Sequence, residues 1–367
     1  MNQFNTDLDV VSKHMSPLCV LDNGTLLAYR LGKIYFLENM VLKSHKGIEL
    51  FSTIREKYLC RFHLFRRLFR LGVRTVIQAD YQTVLLFVNK KIIEFDIANS
   101  TISKGYTPEK GIRALYFTRI KNITGFDDGI VFGGYLSNPH KKQVHIYKRV
   151  GIDAWEVIFT FSEGEINHIH NIIPDKYNQC VWILTGDFDD SAAIWRATDN
   201  FRNVERILYN KQIYRGCIGF PTEKGLLYAT DAPYFDNSIR LLYNKSGKWV
   251  SGKICDIPGS SIYGCSFKDK YIFSTTVEPD GRNSSLFKLL LSRKRGAGIK
   301  DNYTHIFMGN IKNGFQNIYK LEKDGWPFIF QFGTIRFPVG DNQSNYLIFE
   351  PIATKKHNLS FLKLKIK

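Results

Sequence analysis

The sequence predicts an all-β fold, a β-propeller of seven blades, with a basic amphipathic helical insertion at about 51–74. Three observations carry this reading. Most of the chain is short apolar runs separated by turn residues. The runs recur as units starting near 18, 74, 112, 166, 214, 262 and 317, at intervals of roughly 40–60 residues. Aromatics make up 14% of the residues, and with the Val, Ile and Thr of the same runs they favour strands.

The units share one plan: a strand, a turn, a strongly apolar strand, a turn, then a strand ending in a polar loop. The first, LCVLDNGTLLAYRLGKIYFLE (18–38), is three strands broken by DNG and LGK. RTVIQADYQTVLLFVNKKIIEFDI (74–97) is built the same way. Later units open with IRALYFTRI, INHIHNII, YRGCIGF, IYGCSF and NIYKLE. A propeller blade buries both faces against its neighbours, so its middle strands are apolar throughout. A β-helix would need a shorter, stricter period, and a pair of sandwiches would need a linker. Neither is present, so one domain over 1–367 is expected.

The turns between third and fourth strands carry degenerate Asp-box-like sequences: ATDNFRNVERI (197–207), NKSGKWV (244–250) and RVGIDAWEVI (149–158). In an Asp box the Asp accepts backbone N–H bonds and the aromatic packs between blades.

FSTIREKYLCRFHLFRRLFRLGVR (51–74) breaks the pattern. Leu59, Phe62, Leu64, Phe65, Leu68, Phe69 and Leu71 fall at helical spacing with arginines between them. The expectation is a helix packed on the propeller, its Phe and Leu buried and its Arg solvated or aimed at a pocket. The alternative is a basic helix resting on an anionic membrane surface.

The chain has 51 Lys and Arg against 34 Asp and Glu, a net charge of +17. That charge draws anionic partners. An acidic oligo- or polysaccharide is the expected one, and nucleic acid is not favoured. The segment MNQFNTDLDVVSKHM has no apolar core of the secretory kind. No apolar run reaches the length of about eighteen residues that a membrane helix needs. A cytoplasmic location is therefore expected, with a membrane-peripheral one as the alternative. Cys19, Cys60, Cys180, Cys217, Cys255 and Cys265 form no CxxC pair, so they are read as reduced thiols.

Polar residues at the ends of apolar strands mark a pocket where propeller loops converge. Strand alternation puts His168 and His170 on one face, with Asn167 and Asn171 on the other. Asp187 ends the next strand, Arg215 stands near a strand start, and Asp231 takes a position like that of Asp187. Glu278 repeats that position, Arg336 lies late in the last unit, and Tyr135 closes the third. A neutral histidine serves as general base near pH 7. Arginine clamps a carboxylate, phosphate or sulfate, and two carboxylates can serve glycoside hydrolysis. No cofactor is expected. A divalent metal on His168, His170 and Asp187 remains the alternative, since two His and a carboxylate also suit a metal.

The runs GGYLSNPHKKQVHIYKR, FTFSEGEINHIHNIIPDKYNQCVWILTGDFDD, KQIYRGCIGFPTEKGLLYATDAP and STTVEPD resemble bacterial sialidase-like, BNR-repeat propeller proteins of the glycosyl-hydrolase kind, which often sit among polysaccharide genes. The pattern is G-E-Y-F-x-N, I-x-H-I-H-x-x-x-x-D, W-x-x-T-G-D, Q-x-Y-R and T-D-x-P. It is matched by Tyr135, Asn138, His168, His170, Asp175, Trp182, Asp187, Gln212, Tyr214, Arg215 and Asp231. The match covers about 130–280, and the first 110 residues follow by general shape only. Gly134 stands where the family has Glu, a departure that points to an altered or inactive member. More distantly, the set looks like that of seven-bladed polysaccharide lyases, which use His, Tyr and Arg on uronic acids.

The resemblance implies a glycoside hydrolase or polysaccharide lyase acting on an acidic glycan in surface-polysaccharide metabolism. His168 or His170 would be the base and Tyr214 or Tyr135 the proton donor. Arg215 and Arg336 would clamp the carboxylate, with Gln212 and Tyr135 also on the substrate. Asp187, Asp231 and Glu278 would hold sugar hydroxyls or form the hydrolytic acid pair. The alternative is a non-catalytic propeller that binds glycan or protein, docked to a membrane-associated assembly through 51–74.

Overall fold

The computed structural model describes residues 7–44, 46–51, 53–280, 288 and 291–366. Among them are seven antiparallel sheets, the blades of a seven-bladed β-propeller. Blade 1 is Ser16–Val20, Leu26–Arg30 and Lys33–Glu38, with Val41–Leu42 and Ile48–Glu49 both pairing to the third strand. Blade 2 is Val73–Gln78, Thr83–Val88, Lys91–Asp96 and Thr101–Ile102. Blade 3 opens with a broken strand, Arg113–Ala114 and Thr118–Ile120, then Gly129–Tyr135, Val144–Gly151 and Ala154–Phe161.

Blade 4 is His168–Asp175, Cys180–Gly186, Ala193–Thr198 and Asn203–Leu208. Blade 5 is Gly216–Thr222, Gly225–Thr230, Asn237–Lys245 and Lys248–Ile257. Blade 6 is Ser261–Phe267, Lys270–Thr275, Tyr303–Asn310 and Gly314–Glu322. Blade 7 is Thr334–Arg336, Tyr346–Ile352 and Ser360–Lys365, completed by the N-terminal strand Leu8–Lys13.

Six of the seven expected units open within a few residues of an observed blade. The seventh does not. NIYKLE belongs to Gly314–Glu322, the outer strand of blade 6. Outer strands are half-exposed, so their apolar content rises and falls like the start of a new unit. The true last blade begins at Thr334 and borrows its outer strand from the N-terminus, a pairing that no local pattern announces.

Two compact units divide the chain. One comprises Met1–Val73, Pro233–Asp236 and Pro258–Lys367, and the other Arg74–Ala232 and Asn237–Ile257. In the second unit, neighbouring blades pack through apolar middle strands. Leu85 and Phe87 of blade 2 meet Phe132 and Tyr147 of blade 3. Ile146 and Phe161 of blade 3 meet Ile169 and Ile183 of blade 4. Trp182 and Leu184 of blade 4 meet Leu226 and Tyr228 of blade 5. Each such fully buried side chain contributes about 1.5–3 kcal/mol relative to exposure. The Asp-box-like turns supply further wedges: Trp155 joins the blade 2–3 cluster, and Trp249 stands edge-on to Trp182 with ring centroids 5.0 Å apart. Asp153 accepts from Ser103 Oγ at 2.6 Å and Gly105 N at 3.0 Å, tying the blade 3 turn to blade 2.

In the first unit the insertion forms two short helices, α1 (Ile54–Leu59) and α2 (His63–Leu68). Their burial reverses the expectation. Arg66 and Arg67 are buried, whereas Phe62, Leu64 and Phe69 are exposed. Arg67 finds partners that local periodicity cannot show: its Nη1 lies 2.6 Å from Asp324 Oδ2, and its Nε donates to Phe330 O at 2.8 Å. Arg66 Nη2 donates to His14 Nδ1 at 3.1 Å. A buried guanidinium is tolerated where its donors are matched. These arginines are the anchors of the insertion; Ile54, Tyr58, Phe62, Leu64 and Phe69 face out, and Leu59, Phe65 and Leu68 are half-buried.

Candidate functional site

The site grows from a repeated irregularity. In blades 1, 4, 5 and 6 the first strand carries one residue more than its partner, and the extra residues are Leu18, His170, Cys217 and Ile262. Such a β-bulge bends the strand and re-aims a side chain. Just before it, Ile169 pairs with Thr185 and Gly216 pairs with Thr230. The residue one place earlier is His168 in blade 4 and Arg215 in blade 5. Two positions of the repeat thus supply two neighbouring pairs, His168 with His170 and Arg215 with Cys217.

His168 and His170 do share a side, as expected. Asn167 and Asn171 are not simply the opposite face. Asn171 follows the bulge and donates from Nδ2 to Cys217 O at 2.8 Å. Asn167 precedes the strand, and its Oδ1 accepts from Asp187 N at 3.2 Å.

Both imidazoles are oriented by backbone carbonyls. His168 Nδ1 lies 2.9 Å from Leu136 O, and His170 Nδ1 lies 2.9 Å from Gly216 O. A carbonyl only accepts, so each Nδ1 carries the proton. In the neutral rings both Nε2 atoms are then bare lone pairs. They face one another at 2.9 Å, and they lie 3.3 Å (His168) and 3.4 Å (His170) from Asp187 Oδ1. Three acceptor atoms therefore converge on one spot. The two rings are buried, while the Asp187 side chain is 32% exposed and forms the open side. Gly186 makes this approach possible, because a Cβ there would stand 2.2 Å from His170 Cε1.

Arg215 joins two carboxylates. Its Nη2 is 2.9 Å from Asp187 Oδ1 and 3.4 Å from Asp231 Oδ2, and its Nη1 donates to Asp187 O at 3.0 Å. Gln212 Nε2 donates to the same carbonyl at 3.1 Å. Burial is the largest influence on Asp187 and opposes its charge. Arg215 leads the influences that outweigh it, and the carboxyl is held well below the usual carboxylate range. Burial pushes the His170 pKa down, against the pull of Asp187. Tyr135 lies over His168 with ring centroids 4.4 Å apart, and the Arg74 guanidinium sits 5.6 Å from the Tyr135 ring centre. Burial and then the Asp187 charge raise the Tyr135 phenol, so it is neutral at pH 7.

The structure thus brings together Tyr135, His168, His170, Asp187, Gln212, Arg215 and Asp231. Three acids were expected at one repeated position, and they occupy three. Counted from the bulge pair, Asp231 is one residue past Thr230, as Gly186 is past Thr185; Asp187 is one further. In blade 6 Ser261 pairs with Thr275, so the counterpart of Asp231 is Thr276, and Glu278 lies two beyond it. Glu278 accepts from Thr276 Oγ1 at 2.6 Å. Glu278 and Arg336 belong to the first unit, where Arg336 lies 5.5 Å from the Tyr263 ring centre.

Tyr214 packs against the apolar cluster of Trp182, Leu184 and Tyr228. Asp175 closes its turn, accepting from Tyr177 N, Asn178 N and Trp182 Nε1 at 2.8–3.0 Å. A Cβ at Gly134 would meet His145 O and Val144, so that position borders blade 3's own third strand.

Sequence reading missed Cys217, whose Sγ lies 3.2 Å from Asp231 Oδ2, and Arg74. Aligning the blades on Arg215 and His168 would have exposed Cys217 as the counterpart of His170. The donors that suit a metal are His168, His170 and Asp187, or His170, Cys217 and Asp231.

Gly186→Ala tests the packing directly. The added methyl overlaps the His170 ring, so the variant is expected to lose about 1–3 kcal/mol in urea unfolding. Unchanged stability would show that His170 is not held as described.

No family model matches the chain, and no curated protein matches it. Solved structures do. The AfRom2 CNH domain aligns over 98% of this chain and 99% of its own, at 10% identity and a TM-score of 0.52. The β-propeller domain of Myceliophteria thermophila Cps50 (Swd1) aligns over 100% and 99%, at 10% identity and 0.51. A chain of the mitotic checkpoint complex aligns over 100% and 94%, at 9% identity and 0.52. None of the three is described as a sialidase or a lyase. At such identities the likeness shows the fold alone, and that fold is the propeller.

Proposed function

We propose that His168, His170 and Asp187 form the working centre of a carbohydrate-active site, a glycoside hydrolase or polysaccharide lyase for an acidic glycan. One observation carries this reading: the Nε2 atoms of two buried histidines converge on a partly exposed, ionised carboxylate, with the rest of the cluster buried behind it. Buried polar groups are costly, and a cluster of them with a perturbed carboxylate is a functional-site candidate.

The neighbours suit a sugar. Phe188 is exposed and lies under the Arg215 guanidinium, 5.2 Å from its ring centre, offering an apolar face at the opening. Tyr135 keeps its proton at pH 7 and is suited to donate it to a departing hydroxyl. The net charge of +17 favours an anionic substrate. Arg215 supports the site as internal countercharge to Asp187 and Asp231 rather than as a free clamp.

The test is a screen of uronate-containing glycans, read by absorbance of the unsaturated product and by reducing-end release. Turnover is expected by one route, and His168→Ala should abolish it while the far-ultraviolet spectrum is kept. Full activity in that variant removes the assignment.

A second reading rests on a separate observation in the first unit. Tyr58, Phe62, Phe65 and Phe69 form a continuous ladder, with successive ring centroids 5.1, 5.9 and 6.0 Å apart. Ile54, Tyr58, Phe62, Leu64 and Phe69 are exposed, and so are Arg55, Arg61 and Arg70. Exposed aromatics rimmed by arginine fit the interface of an anionic bilayer. The protein should co-sediment with phosphatidylserine vesicles at low salt, and Phe62→Ser with Phe69→Ser should release it. Failure of the wild-type protein to sediment would discard this surface. Arg66 and Arg67 are unsuitable targets, because their loss unseats the helices.

A further inference from the structure

We infer that His168 Nε2, His170 Nε2 and Asp187 Oδ1 bind one divalent first-row transition-metal cation. The inference deepens the proposed site and rests on that reading only for its location, not for its reaction.

The distances fit. The three atoms stand 2.9, 3.3 and 3.4 Å from one another. Ligands about 2.0–2.1 Å from a metal are roughly 3.3 Å apart at a tetrahedral centre and roughly 3.0 Å apart at adjacent octahedral positions. A cation at such bond lengths is equidistant from the three atoms at roughly 0.9 Å out of their plane. The Asp187 side chain is the partly exposed member of the three.

Orientation supports it independently. Metal-binding histidines typically donate their second ring N–H to a carbonyl, which fixes the tautomer and turns the other nitrogen to the metal. Both rings here do so, through Leu136 O and Gly216 O. Without a cation or a shared proton, two lone pairs would oppose each other at 2.9 Å beside a negative oxygen.

The groups around the three atoms are Arg215, shared by Asp187 and Asp231, with the Tyr135 phenol, the Cys217 thiol and Arg74, which sits over the Tyr135 ring. Asp231 Oδ1 is buried and accepts no hydrogen bond among the described residues. A metal there would act as a Lewis acid toward an oxygen arriving past Asp187.

The experiment uses the full chain stripped with a chelator, then titrated with Co²⁺ and read by its visible absorption, with Zn²⁺ competition and elemental analysis of the dialysed protein. One equivalent should bind. His168→Gln and Asp187→Asn should each weaken binding by 100-fold or more (on the order of the loss expected for a direct ligand). His140→Ala, at an exposed position, should leave it unchanged. Circular dichroism confirms that each variant is folded, and His168→Gln keeps the size of the ring site if His168→Ala does not fold. Absence of stoichiometric binding, or equal binding in the ligand variants, overturns the inference. No glycan enters the assay. Metal binding without glycan turnover therefore removes the carbohydrate reading alone, and turnover without metal removes this one alone.

Discussion

The bulge in the first strand of blades 4 and 5 is the constraint on which the cluster depends. A regular ladder would pair every residue of that strand with one on its neighbour. The extra residue leaves His170 and Cys217 outside the ladder, free to be aimed by contacts of their own. Adjacent blades repeat the device, so the Gly216 carbonyl of blade 5 is in place to accept from His170 of blade 4. Gly186 keeps the space beside the ring clear. The same bulge in blades 1 and 6 places the apolar residues Leu18 and Ile262.

Electrostatics then fix the roles. Arg215 is buried between two acids, and at low local dielectric such a pairing is far stronger than at the surface. Removing one partner leaves an uncompensated buried charge, which typically costs about 3–5 kcal/mol. Arg215 is thus part of the frame that keeps Asp187 ionised, and substrate charge must be met elsewhere.

Much of the fold was legible because blade interiors write themselves into the sequence as unbroken apolar strands. CVWILTG and TVLLFV are buried nearly throughout. The error at NIYKLE came from an outer strand that imitates a beginning, and the true seventh blade depends on a pairing between chain ends. The cluster was legible where residue type carries chemistry: His168, His170, Asp187, Arg215 and Asp231, which the structure brings together, were singled out. Cys217 and Arg74 were not, because a thiol or an arginine on a strand looks structural until the neighbouring blade is placed. Glu278 was misread by treating strand ends as equivalent without the bulge to count from. In the insertion, spacing marked an amphipathic segment but not which side is covered. Asp324 and Phe330, far along the chain, decide that.

The orientation of the two imidazoles supports every chemical statement made about the cluster. Nitrogen NMR of the protein carrying labelled histidine reads it directly, with His168→Gln and His170→Gln assigning the signals. Both rings should carry their proton on Nδ1, and addition of Zn²⁺ should move both Nε2 resonances together while the Nδ1–H signals persist. A neutral ring protonated on Nε2 at either position would contradict the arrangement and, with it, the convergence of lone pairs on Asp187.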